Sequence, residues 1–294
     1  MKKAKKIEVL LPYKPPYRWE DLLRFFRLRQ IKGVEYVDEN VYRRSVRLRE
    51  AGRWHYGAFE VRHVSDENAL SLSLDPAHEA LLPQIKAIAI RQFDLALDPD
   101  VVSKTLKHLR AVERSLYVRG IRLPGTSDAF EMSVRAVLGQ QITVSREKAL
   151  LERVVECFGQ VVDLGDPHVT HVFPTPSDFL ADDVAEKLGA MGIIRTRASA
   201  IIELARRFLA DDRFIAPEIP IDEAEVRLLS IRGIGPWTTD YILMRTLGTT
   251  DVFLATDAGI KKALASLSID DPDIWAKRFS PWRSYVTLSL WHYL

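Results

Sequence analysis

A lone carboxylate, Asp257 in "ATDAG", lies downstream of the stretch "SIRGIGPWTTDYILMRTLG". Within it, "RGIGPW" sets Gly233, Ile234 and Gly235 ahead of a proline and a tryptophan. Helical patterning runs up to Ser230 and resumes at Pro236, so "IRGIG" has room only for a tight helix–hairpin–helix turn. Glycine tolerates positive φ there and removes side chains that would keep another backbone away. Free N–H groups at the start of the second helix, with its dipole, make an anion site, for which a nucleic-acid phosphate is the natural ligand. Such a contact fixes position without reading sequence. The plainer reading is a structural αα-turn capped by glycine. Asp257 by itself reads as an ordinary helix N-cap.

Composition narrows the field. The chain has 294 residues, 47% hydrophobic and 28% charged, enough for two or three compact units. Its net charge is only +2, so any nucleic-acid surface must come from segregating charge onto one face. A single cysteine, Cys157, excludes an internal disulfide and any four-cysteine zinc or iron–sulfur site. Its place in "LLERVVECFG" predicts a buried structural thiol. The basic "MKKAKK" is followed by no apolar core or small-residue cleavage site, so no secretory signal is expected. No charge-free apolar stretch reaches 18 residues, which predicts no membrane span and a cytoplasmic protein. His168 and His171 in "HVTH" stand at i, i+3 without a third ligand nearby, so no metal site is expected there.

The elements that must hold these residues follow from patterning. Residues 1–95 combine the helical "YRWEDLLRFFRLRQI" with strand-like runs, the last alternating Leu70, Leu72 and Leu74. They predict a small α+β unit with an antiparallel sheet. From Pro76 the pattern is helical almost throughout, with helices over 77–91, 99–113, 127–138, 144–158, 177–188, 195–210, 222–230, 236–247, 257–265, 272–278 and 282–293. Asp222 with Glu225 reads as a capping box, Pro236 as a first-turn proline and Gly248 as a C-terminal cap.

The order of hairpin, helix, loop and Asp257 resembles the signature of the helix–hairpin–helix DNA glycosylase superfamily. "KPPYRW", "RLPGTSDAFEMSVRAVLGQQIT", "VFPTP" and "PWRSYVTLSLW" further resemble the 3-methyladenine DNA glycosylase II family, in the same order along nearly the whole chain. The resemblance implies an N-terminal α+β domain over 1–95 and a helical domain with the hairpin over 129–249. A second helical domain, 96–128 with 250–294, would carry the catalytic aspartate, with the active-site cleft between the two. It implies Asp257 as the catalytic carboxylate and damaged double-stranded DNA as partner, with a monomer sufficient and no obligate protein partner. Family members that also cleave the strand place a Schiff-base lysine where this chain has Trp237. A monofunctional hydrolase without an iron–sulfur cluster is therefore expected. The resemblance also implies a monovalent cation, Na+ or K+, on the backbone carbonyls of Leu229, Ile231 and Ile234, and a wedge residue at Gln141, where the best-known branch has a bulky aliphatic one.

The chemistry is consistent with these assignments. A purine in a duplex cannot be reached without flipping its nucleotide into a pocket. Trp237 and Tyr241 stand at i, i+4 on one helix face, and the resemblance adds Phe25 and Trp291. Aromatic rings suit N-alkylated purines, whose positive charge is attracted to the ring face. All four aromatics also read as core residues. Asp257, ionised, would stabilise the oxocarbenium character that develops on the sugar. A cationic base leaves readily, which fits the lack of an obvious second acid near Asp257. Asp240 and Asp251 read as helix-surface and loop residues, while Arg245, Lys261 and Lys262 are candidates to face DNA. The leading expectation is excision of alkylated purines of the 3-methyladenine and 7-methylguanine type in base excision repair. The alternatives are a glycosylase for deaminated or oxidised bases and a non-catalytic DNA-binding module.

Overall fold

A computed structural model describes residues 6–294; the first five residues of "MKKAKK" lie outside it. Five strands, β1 (Ile7–Pro12), β2 (Glu35–Val37), β3 (Val41–Glu50), β4 (Arg53–Val64) and β5 (Ala69–Leu74), form an antiparallel sheet in the order β1-β5-β4-β3-β2. In the centre Leu72 pairs with Val9 on one side and Val61 on the other. The alternating leucines of β5 do enter the core, but the serines between them are buried too, flanked by the longer side chains of Glu8 on β1 and of Glu60 and Arg62 on β4. Helix α1 (Trp19–Arg29) buries Trp19, Leu22, Leu23 and Phe26 at the helical spacing read from sequence. With α2 (Leu82–Gln92) it closes the first apolar core over the sheet.

The remaining helices share a second core. They are α3 (Pro99–Leu106), α4 (Ala129–Gly139), α5 (Val144–Phe158), α6 (Val184–Ala190), α7 (Arg195–Ala210), α8 (Ile221–Leu229), α9 (Pro236–Thr246), α10 (Ala258–Ser266), α11 (Pro272–Lys277) and α12 (Arg283–Tyr293). The central one is α4, buried at every position from Phe130 to Leu138 and packed against α5, α7 and α9. Among the described residues no helix is long and apolar enough to cross a membrane.

Helices α5 and α7 have the predicted bounds, and Pro236 opens α9 as expected. Three long predictions break into a short helix and a 3-10 turn: 76–81 precedes α2, 107–111 follows α3, and 176–179 stands apart from α6. A small hairpin, β6 (Gln160–Val161) with β7 (His171–Val172), was not expected. It holds His171 in extended backbone, so helical spacing with His168 does not apply; the His168 ring instead stacks on Tyr36 at 4.1 Å. No group of three metal-ligating side chains occurs among the described residues. Cys157 is exposed, not buried, because the apolar stripe of α5 centres on Leu151, Val154 and Val155 and leaves it beyond the edge. Asp222 and Glu225 form no capping box. Helix α8 starts one residue earlier, with the Pro220 carbonyl accepting the Ala224 amide, so Asp222 lies inside the first turn.

Sheet and helices meet at a buried ionic set. Glu35 on β2 and Arg44 on β3 face Glu131 and Arg135 on α4, all four nearly inaccessible. Arg44 Nη2 lies 2.6 Å from Glu131 Oε2, and Arg135 Nη2 is 2.5 Å from Glu35 Oε2 and 2.7 Å from Glu131 Oε1. The Tyr42 hydroxyl donates to Glu35 at 2.7 Å, and Arg135 Nη1 donates to the Arg29 carbonyl at 2.9 Å. Burial alone would raise the Glu35 carboxyl, but the Arg135 and Arg44 guanidiniums and the Tyr42 hydroxyl bring it down to about 2.

Breaking this set from one side should be costly. Arg44→Met should lower unfolding stability by about 3–5 kcal/mol in urea titrations, since it leaves buried carboxylates undercompensated. A loss within the scatter of surface substitutions would refute that. In the wild type the Glu35 contribution should be complete above the ordinary carboxyl range near 4.5 and fade as pH falls toward about 2, because the unfolded chain takes up the proton first.

Candidate functional site

The hairpin between α8 and α9 is anchored by two buried apolar residues, Ile231 and Ile234. Ile231 donates to the Leu228 carbonyl and Ile234 to that of Ile231, which closes the turn. The two glycines differ. Gly233 has φ +98 and sits so close to α7 that a Cβ would lie 3.3 Å from Ala200 Cβ. Gly235 has φ −102, which any residue adopts, and a Cβ there would meet nothing within 4 Å. Its lack of a side chain therefore serves approach from outside, not backbone conformation. As N-cap of α9 it also offers no oxygen to the first-turn amides, which remain open to an external acceptor.

Gln140, just past α4, pins this hairpin: its Nε2 donates to the Gly233 carbonyl and to Thr238 Oγ1, both at 2.9 Å. Arg197 donates to the Gln140 carbonyl from the other side. Held this way, the chain turns through Gln141 with φ +55, and the Gln141 side chain is left exposed.

Beside the hairpin opens a cleft of about 1030 Å³ between the Gln140–Thr143 loop, α9 and the start of α10. Trp237, Tyr241, Asp257, Trp291 and Gln141 all line it. The i, i+4 pair is stacked, with the Trp237 and Tyr241 rings 5.4 Å apart and 9° from parallel, and Trp291 stands edge-on to Tyr241 at 6.3 Å. Asp257 is the N-cap of α10 and a cleft residue at once. Its Oδ1 accepts the Ile260 amide at 3.1 Å and Trp291 Nε1 at 3.0 Å. Oδ2 takes neither bond, so a carboxylate oxygen remains available on a side chain locked in place.

Phe25 is not brought to the cleft lining. It lies behind it, with the Arg29 guanidinium 3.8 Å and that of Arg245 4.8 Å from its ring centre. Nor does Arg245 face DNA. It is buried, donating to the Pro124 and Gly125 carbonyls and, at 2.7 Å, to the Tyr241 hydroxyl. A single arginine thus fixes the α3–α4 connection against the inner wall of the cleft. Lys261 does line the cleft, and Lys262 is exposed. Asp251 is held by Arg283 and Ser280, and burial with the nearby Glu225 raises the half-buried Asp240 to about 6 against the pull of Arg283; neither lines the cleft. Of the carbonyls assigned to a cation, that of Ile231 already accepts the Ile234 amide at 3.0 Å, while those of Leu229 and Ile234 accept no amide among the described residues.

The cleft lining also includes polar residues that the sequence reading does not single out, among them Gln140, Arg29, Arg135 and Glu147. The signal for Glu147 was present. It stands at i−3, i−4 and i−7 from the buried Leu150, Leu151 and Val154, a charge on the apolar stripe of α5.

An uncapped hairpin helix, an aromatic cleft and a fixed carboxylate on a mostly helical body beside a five-stranded sheet define a protein of the helix–hairpin–helix class. Residues 8–128 match the AlkA N-terminal domain, and residues 134–280 match the HhH-GPD superfamily of base excision DNA repair proteins. The chain belongs to that superfamily, in its AlkA-type 3-methyladenine DNA glycosylase II family. It is 32% identical to DNA-3-methyladenine glycosylase 2 of Escherichia coli over 282 residues, 96% of each chain. A solved 3-methyladenine DNA-glycosylase from Archaeoglobus fulgidus superposes with a TM-score of 0.80 at 24% identity, covering 97% of this chain and 98% of that one. An 8-oxoguanine glycosylase/lyase from Clostridium acetobutylicum shares the fold at TM-score 0.71 and 17% identity, over 100% and 98% of the two chains.

The open space around Gly235 yields a test of the hairpin. Gly235→Val should fold with stability changed by less than about 0.5 kcal/mol, yet weaken binding to undamaged duplex about tenfold by obstructing phosphate approach, a loss of ~1.4 kcal/mol. Unchanged affinity in a fluorescence-anisotropy titration would remove the phosphate role.

Proposed function

We propose that this protein hydrolyses the N-glycosidic bond of alkylated purines in duplex DNA, as a monofunctional DNA glycosylase of base excision repair. The observation that carries the reading is the shared wall of stacked Trp237 and Tyr241 with Asp257, whose Oδ1 is held by the cap bond and by Trp291 while Oδ2 stays free. The hairpin amides grip a backbone phosphate, and the Leu229 and Ile234 carbonyls would hold a monovalent cation, which would supply positive charge near that phosphate. Gln141, on its left-handed turn at the rim, fills the gap that the flipped nucleotide leaves. Inside, the cationic base stacks on the aromatic wall.

Asp257 acts on the sugar. As the C1′–N bond breaks, its carboxylate meets the growing positive charge and orients the water that adds to C1′. Trp291 and the Ile260 amide keep it from turning away during that step. The bonding electrons leave with a base that already carries a positive charge, so it departs neutral. Trp237 occupies the place that the family resemblance gives to the lyase lysine. Lys261 is the amine on the cleft wall, and hydrolysis without strand cleavage requires that it form no Schiff base.

Single-turnover release of 7-methylguanine from a duplex, with wild type and Asp257→Asn, tests the reading. The variant should lose about 10²- to 10³-fold in rate while binding the same duplex. Equal rates would reduce Asp257 to a helix cap, and no release by the wild type would defeat the activity. Omitting heat or alkali should leave the strand intact, and cleavage without it would indicate a lyase. Trp237→Ala should impair release more than binding to undamaged DNA; equal losses would mark Trp237 as a packing residue.

A further inference from the structure

The cleft has a second acid. Glu147, on α5, lies where the cleft runs inward to a small void of about 20 Å³, and it lines both spaces together with Arg29, Arg135 and Tyr241. Its backbone amide is tied to Thr143, but its carboxylate has no hydrogen-bond donor and no ion-pair partner among the described residues. The fully buried Glu35 and Glu131 each accept from two arginines, whereas the half-buried Glu147 accepts from none. Glu147 has arginines near it on three helices, Arg29 on α1, Arg135 on α4 and Arg245 on α9, but each is committed elsewhere. Arg29 lies over Phe25, Arg135 is bonded to Glu35 and Glu131, and Arg245 to Pro124, Gly125 and Tyr241. The site is also shaped around it: a Cβ on Gly139 would come within 3.2 Å of the Glu147 carboxyl. Burial pushes that carboxyl up from its ordinary range, with Arg135, Arg29 and Arg245 opposing the shift.

We propose that Glu147 is the proton donor to the leaving base, used when the flipped purine carries no charge of its own. The Glu147 carboxyl has no internal partner where the cleft runs inward, so its O–H, when protonated, is free for a ring nitrogen of a purine stacked on Tyr241. As the C1′–N9 bond breaks, its electron pair goes to the base. The Glu147 proton passes to that ring nitrogen, so the purine leaves neutral. Water supplies the oxygen bonded to C1′, and its surplus proton goes to solvent. The carboxylate left behind is stabilised by the three surrounding guanidiniums and is reprotonated from solvent before the next turnover. An alkylated, cationic purine leaves without this proton transfer. This deepens the reading above and rests on it, since it assigns a second role in the same cleft.

The test is the ratio of two single-turnover rates, on a duplex with one deoxyinosine and on one with 7-methylguanine, for wild type and Glu147→Gln. Glutamine keeps the size of the side chain and removes the acidic proton. The ratio of neutral to cationic release should fall about 100-fold or more, the ordinary contribution of a positioned general acid. Release of the cationic base by the variant reports at the same time that it is folded. An unchanged ratio overturns the proposal, whether both rates hold or both fall together, since Glu147 would then be a packing residue. A wild type that releases 7-methylguanine but leaves deoxyinosine intact overturns it as well, while the glycosylase reading survives. Failure to release either base defeats both.

Discussion

Helix α4 is surrounded by protein on all sides, yet it carries Glu131 and Arg135 in its middle. Charges so placed must be neutralised where they stand; Glu131 and Arg135 pair with each other, and Glu35 and Arg44 from the sheet complete the set. A buried set of this kind adds little net stability over an apolar filling of the same volume, because desolvation offsets most of the attraction. Its effect is on geometry. Apolar side chains would let α4 slide or rotate by small steps, whereas four ionised groups are all satisfied in one register only. The end of α4 then delivers Gln140 to the hairpin and Gln141 to the cleft rim. The sheet, which contributes no residue to the aromatic wall, thus sets where that wall and the hairpin stand relative to each other.

Two helix starts near the cleft apply the same physics to opposite ends. Every helix begins with amides that lack an internal acceptor. At α9 the cap is Gly235, with no side-chain oxygen, so those amides await an outside anion. At α10 the cap is Asp257, which satisfies the Ile260 amide itself. The structural and chemical readings of Asp257 therefore do not compete. The capping bond and the Trp291 bond both fall on Oδ1, and they fix the rotamer that presents Oδ2. A carboxylate oriented in advance needs no reorganisation when charge develops near it.

How much of this was legible in the sequence depended on whether the signal was local. The hairpin, the bounds of α5 and α7, and the Trp237–Tyr241 pair rest on spacing within one element, and the structure shows them as read. Long helices that break into 3-10 turns keep their apolar periodicity across the break, so nothing in the pattern marks it. Arg245 and Phe25 depend on contacts between α1 and α9, far apart in the chain, and no periodicity distinguishes a buried arginine from an exposed one. Glu147 is legible as a charge on an apolar stripe, but it lies more than a hundred residues from Asp257, and no local pattern ties the two together. The cleft instead brings residues together from α1, α4, α5, α9, α10 and α12.

The character of the cleft bears on selectivity. A cleft of about 1030 Å³ with three aromatic rings along it gives a base surface to stack on. In the proposed reaction selection falls to the chemistry of the base: a positive charge both strengthens stacking on the rings and weakens the bond to be broken. The two acids stand at different places for that reason. In that reaction Asp257, locked by two bonds, would serve the sugar, whose charge develops with every substrate. Glu147 serves the base, whose need for a proton varies, and so is left unpaired. A cleft arranged in this way sets its substrate range by how easily a base departs, more than by which base it is.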